Sequence, residues 1–110
     1  MKLLIDTNVI LDMVLKRKDY NISIKLFQKI DAYNIEAYIT ASTITDLFYI
    51  IRKETQDMEQ TYLIMGNILK LVRILAVSGN DIQEAFLRKW KDFEDCVQYM
   101  TGKNKDDDLL

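Results

Sequence analysis

Lys2-Leu3-Leu4-Ile5-Asp6-Thr7-Asn8 is the stretch whose reading decides the fold. A short, mostly apolar run compatible with β structure leads straight into an aspartate, a threonine and an asparagine. The amphipathic run Val9 to Leu15 follows at once. This pattern is a buried strand that delivers a carboxylate to the point where the chain turns into a helix. In open α/β sheets, ligands bind in the crevice outside the carboxyl ends of the strands. An acid there, with the oxygen of Asn8 beside it, suits a hard divalent cation. All three polar types are also preferred helix caps, so capping explains the same residues.

Outward from this stretch, helical and extended patterns alternate. Val9 to about Lys16 reads as a helix, with Lys16-Arg17-Lys18 supplying cations near its end. Asn21 suits the cap of a second helix, Ile22 to Ala32, in which Ile24, Phe27 and Ile30 recur every three residues. Ile35 to Thr40 is a short β-type run. Ser42 and Thr43 open a helix with Ile44, Leu47, Phe48 and Ile51 at the i, i+3, i+4, i+7 positions. The polar segment Lys53 to Gln60 reads as a loop, and Tyr62 to Val72 as a helix in which Gly66 predicts a close packing contact. Arg73 to Val77 is the third strand candidate, followed by a helix capped by Asn80 or Asp81 and running to Trp90. A last helix spans Phe93 to about Thr101, stopped by Gly102. Lys103 to Asp108 reads as a charged loop and Leu109-Leu110 as the opening of a fourth strand. Strands alternating with helices predict a parallel sheet of three or four short strands with helices on both faces, in one domain over residues 1–110.

Composition sets limits on the chemistry. With no histidine in 110 residues, the commonest general base and every histidine-based zinc site are excluded. A net charge of −2 provides no global basic field for nucleic acid, although a metal-loaded acidic site carries its own positive charge. The single cysteine, Cys96, cannot form a disulfide within the chain and reads as a small core residue. That count fits a reducing, cytoplasmic setting. The apolar run at the start is too short for a signal peptide, and no stretch approaches the roughly 18 apolar residues of a membrane span.

Two further aspartates share a local pattern. Asp46 has Ile44, Leu47, Phe48 and Ile51 at −2, +1, +2 and +5, and Asp95 has Phe93, Cys96, Val97 and Met100 at the same offsets. At roughly 100° per residue, each acid lies about 150° from its apolar seam. Thr43 with Asp46, and Asp92 with Asp95, also have capping-box spacing. A helix following a strand of a parallel sheet begins at that sheet's carboxyl edge, which puts Asp46 on the same edge as Asp6. The pattern alone does not place Asp95 there.

The stretches Leu4 to Val9, Ser42 to Tyr49 and Asp92 to Gln98 resemble, in order, three signature stretches of PIN (PilT N-terminal) domains, a family that includes toxin nucleases of the virulence-associated protein C type. The resemblance spans nearly the whole chain. It implies a three-layer α/β/α fold and a ribonuclease site in which Asp6, Asp46 and Asp95 gather Mg²⁺ or Mn²⁺. Asp46 stands where the family often has glutamate. Asn8 sits beside the first acid, Glu94 is the rival of Asp95 one residue away, and Thr7 and Thr43 offer hydroxyls. The family pattern continues through a fourth strand into a Thr-Arg-Asn-like turn with a further acid, beyond where this sequence ends at Leu110, so a shortened PIN domain is expected. Two functions follow as expectations. One is a metal-dependent RNA endonuclease, with an antitoxin as partner if it is a toxin. The other is a catalytically silent PIN fold acting as a binding module. A homodimer is expected under either.

Overall fold

The computed structural model describes residues 2–104. Nine elements follow in order: β1 (Lys2–Leu4), α1 (Thr7–Val14), α2 (Tyr20–Ala32), β2 (Glu36–Thr40), α3 (Ala41–Thr55), α4 (Met58–Leu71), β3 (Arg73–Leu75), α5 (Gly79–Arg88) and α6 (Phe93–Asn104). The three strands form a parallel sheet in the order β1-β2-β3, with Leu3 opposite Ala37 and Ile39 opposite Ile74. Each parallel step needs a crossover, and here each crossover is a pair of helices. This is the α/β architecture expected from the alternating pattern. The candidate fourth strand at Leu109-Leu110 and the charged run at Asp106 to Asp108 lie outside the described residues.

The main core lies where α1 to α4 meet the sheet. Ile5, Ile10, Leu11, Ile30, Ala37, Ile39, Leu47, Ile51, Met65, Ile68 and Val72 form one buried cluster. Leu47 and Ile51 sit one helical turn apart on the buried face of α3, and each contributes about 2 kcal/mol by leaving water. A smaller cluster, Ala85, Cys96, Val97 and Met100, holds α5 against α6 with Val77 packed on it. Cys96 is a core residue, as its sequence setting predicts, and its thiol donates to the Ala85 carbonyl at 3.7 Å.

Several boundaries differ from the sequence reading. Helix α1 starts at Thr7 because Asp6 caps it, and it ends at Val14, so Lys16-Arg17-Lys18 lie past its last turn. The segment Lys53 to Gln60 is not a loop. Its charged residues occupy outer helical faces, and the turn itself is only Gln56 and Asp57. Gln56 takes a left-handed conformation, the Asp57 carboxylate accepts the Gln60 N–H at 3.2 Å, and the Thr55 and Thr61 hydroxyls meet at 2.8 Å. A side chain at Gly66 would meet open space, so that glycine marks no close packing. Helix α5 is capped by Ser78 rather than Asn80 or Asp81, with Asp81 completing a reciprocal capping box. Gly102 does not end α6. It is buried inside the helix, which runs on to Asn104, where the side-chain amide donates to Asp81.

Candidate functional site

Asp6 follows β1 and caps α1. Its carboxylate accepts the Asn8 backbone N–H at 3.0 Å, and its backbone is extended. The capping reading of this stretch therefore holds for Asp6, while both side chains stay exposed at the carboxyl edge of the sheet. Thr7 is half-buried, and the Gln98 side-chain amide of α6 donates to its hydroxyl at 3.5 Å. That contact brings the first half of α6 to the beginning of α1.

The beginning of α3 meets α6 in the same way. Thr40, the last residue of β2, caps α3 by accepting the Thr43 N–H at 3.4 Å. Thr43 is therefore inside the helix, not its cap, and is fully buried. Its hydroxyl donates to Glu94 Oε1 at 3.3 Å, a contact spanning 51 residues of sequence. Asp46, one turn further along α3, acts on Glu94 through a side-chain hydrogen bond and its charge. Asp95 feels the charges of Asp92 and Asp6. Its N–H is bonded to Asp92 Oδ1 at 3.0 Å, as the spacing of those residues predicts. Asp6 thus caps α1, Asp46 lies in the second turn of α3, and Glu94 and Asp95 lie in the first turn of α6, where the positive end of a helix dipole favours carboxylates.

Electrostatics link these acids: Asp46 and Asp92 act on Glu94, and Asp92 and Asp6 act on Asp95. Partial burial, then the hydrogen bond and charge of Asp46, push the Glu94 carboxyl up from 4.5 to about 7, against the lowering effect of the Thr43 hydroxyl. Asp95 is raised by desolvation first, then by the charges of Asp92 and Asp6. Carboxylates placed near one another without a cation raise one another's proton affinity. Among the described residues, no three acidic side chains stand together closely enough to cage an ion as they are. The donors that do gather are all oxygens, the chemistry that hard divalent ions prefer. Burial and Asp46 also leave Glu94 short of positive charge. In those two respects the residues fit such an ion.

Against this geometry, comparison with known families is decisive: a sequence profile of the PIN domain matches residues 2–108. The chain belongs to the PIN domain family. Comparison with curated proteins and with solved structures gave no match. PIN membership points in general to nuclease chemistry, divalent metals and RNA. Among the described residues, no helix is long and apolar enough to cross a membrane.

Of the residues singled out from sequence, Thr43 and Asp46 both act on Glu94, the charge of Asp6 reaches Asp95, and Asn8 joins through its backbone. Three contributors were missed as site residues. Asp92 was visible only as a cap. Gln98, 7% exposed, is a polar residue on the inner side of α6, three and four positions beyond Asp95 and Glu94. Thr40, 1% exposed, ends a strand just before a helix, the position that favours a threonine cap.

Proposed function

We propose that this PIN domain is a metal-dependent RNA endonuclease using Mg²⁺ or Mn²⁺. Asp6, Asp46 and Asp95 would hold the ion together with Glu94, directly or through water. The observation that supports this reading is the gathering of acids where α6 meets α1 and α3: Glu94 accepts from Thr43 and is raised to about 7 by burial and Asp46, and Asp95 is raised by desolvation, Asp92 and Asp6. When bound, the ion supplies Lewis acidity towards the phosphodiester and towards the water that attacks it. Burial and Asp46 disfavour the ionised form of Glu94, and a cation held by these acids would favour it. Thr43 keeps Glu94 Oε1 occupied as an acceptor. Asp6 orients its carboxylate through the Asn8 N–H. Asn8 and Thr7 flank that acid and belong to the site as supporting groups.

RNA cleavage at fixed Mn²⁺ tests the assignment. Asp6→Asn keeps an acceptor for the Asn8 N–H, so it should lose cleavage while keeping its unfolding midpoint. Undiminished cleavage by that variant sinks the assignment.

A second reading, a PIN fold acting as a binding module, draws support from α5 and α6. Ile82, Phe86, Leu87 and Phe93 stay exposed around an apolar groove of about 410 Å³. Exposed apolar patches of this kind mark interaction surfaces. A homodimer, or an antitoxin if the protein is a toxin, is the partner this reading invokes. Sedimentation over a range of concentrations tests the dimer, and a monomer throughout removes it.

A further inference from the structure

Four side chains at the β2–α3 junction form a hydrogen-bonded row. Ser42 Oγ lies 3.3 Å from Thr40 Oγ1, Thr40 Oγ1 lies 2.8 Å from Thr43 Oγ1, and Thr43 Oγ1 lies 3.3 Å from Glu94 Oε1. Each hydroxyl has a single proton to donate. The Thr43 hydroxyl donates to Glu94 Oε1, so its proton is committed there. The short contact between the two threonines must then be donated by Thr40. With its own proton committed, Thr40 receives the proton of Ser42 and also the Thr43 N–H. The direction of the row is thereby set from Ser42 to Thr40 to Thr43 to Glu94.

We propose that Thr40 is a positioning residue for the acidic site: by donating to the Thr43 oxygen, it commits the Thr43 hydroxyl to Glu94 and holds that carboxylate against Asp46. The physical reason is competition. A threonine in a helix can turn its hydroxyl to the carbonyl three or four residues back, and that alternative pulls it away from side-chain partners. Thr43 is fully buried, away from water that could partner its oxygen, and Thr40 Oγ1 at 2.8 Å supplies the donor. Losing the Thr40 hydroxyl removes the bias. Thr43 then has no reason to prefer Glu94, and Glu94 loses the contact that fixes Oε1. Groups one step behind metal ligands typically change affinity by about 10- to 100-fold when removed.

This deepens the nuclease reading and rests on it for the metal readout. The experiment is calorimetric titration with Mn²⁺ of the wild type, Thr40→Ser and Thr40→Val, each also in a Glu94→Ala background, which leaves the Thr43 hydroxyl no acceptor at that position. Thr40→Ser, which keeps the hydroxyl, should stay near wild type. Thr40→Val should bind Mn²⁺ about tenfold more weakly, and its effect should vanish once Glu94 is Ala. Wild-type affinity in Thr40→Val overturns the proposal. So does an equal loss in the Glu94→Ala background, which would leave Thr40 as a helix cap alone. If the wild type takes up no Mn²⁺, the metal reading fails, and urea unfolding of the same variants at pH 8 decides the row by itself. Non-additive midpoints for Thr40→Val and Glu94→Ala uphold it, and additive midpoints overturn it.

Discussion

Glu94→Gln is the perturbation whose sign separates an acidic site from ordinary surface charge. In the metal-free protein at pH 8, Glu94 is ionised next to Asp46, in a place where burial and that neighbour resist ionisation. Gln removes the charge and still accepts from the Thr43 hydroxyl. The rise from 4.5 to about 7, at about 1.4 kcal/mol for each tenfold change in proton affinity, bounds the penalty at roughly 3 kcal/mol. Glu94 is only partly buried, and solvent screening cuts that to about 1 kcal/mol. Urea unfolding in a chelator should therefore show Glu94→Gln more stable than wild type by about 1 kcal/mol at pH 8. At pH 5, where the folded protein already holds the proton, the advantage should shrink. Calorimetry should show the same variant binding Mn²⁺ more weakly. A substitution that stabilises the fold while weakening the ligand marks a group kept under repulsion for function. Equal destabilisation at both pH values would refute the reasoning, because it would make Glu94 a structural residue held mainly by Thr43.

Other consequences follow from the same contacts. The melting temperature of the metal-free wild type should fall as pH rises from about 5 through 7: an acid whose folded pKa is raised above its unfolded value stabilises the fold below that window and loses the contribution across it. The decline should be weaker in Glu94→Gln, as thermal scans at several pH values would show. Asp81→Ala should cost about 2 to 3 kcal/mol in urea unfolding, because Asp81, 1% exposed, accepts from the Ser78 N–H, the Thr101 hydroxyl and the Asn104 amide. Leu47→Ala empties a fully buried position on α3 and should cost about 2 to 5 kcal/mol by the same assay.

The opening stretch was legible because strand and cap chemistry agree there. Four apolar or β-permissive residues ending in Asp6 permit one reading of the backbone, and the acid falls at the carboxyl edge whether it caps a helix or binds an ion. The same logic found Asp46, whose helix must begin on that edge. Less visible was the partner of Asp46. Sequence offered Asp95 and Glu94 one residue apart, and only the placement of α6 brings Glu94 to Thr43 and Asp46 and puts Asp95 within the field of Asp6. The Thr43–Glu94 contact spans 51 residues and the Gln98–Thr7 contact that brings α6 to α1 spans 91, and no local periodicity encodes them. The α3–α4 turn was misread because Lys53, Glu54, Glu59 and Gln60 are polar for a different reason: they cover the outer faces of two helices. The inner side is closed by Thr55 and Thr61, whose hydroxyls satisfy each other and so look loop-like in sequence. The C-terminal half of α6 was hidden by Gly102, a common stop signal that Asp81 overrides by binding Thr101 and Asn104 on either side of it.

The most direct test of the central claim is Mn²⁺ titration calorimetry on the wild type and on Asp6→Asn. The account predicts saturable binding by the wild type that is lost in Asp6→Asn, with the unfolding midpoint of the variant unchanged. No binding by the wild type, or equal binding by both chains, would contradict it.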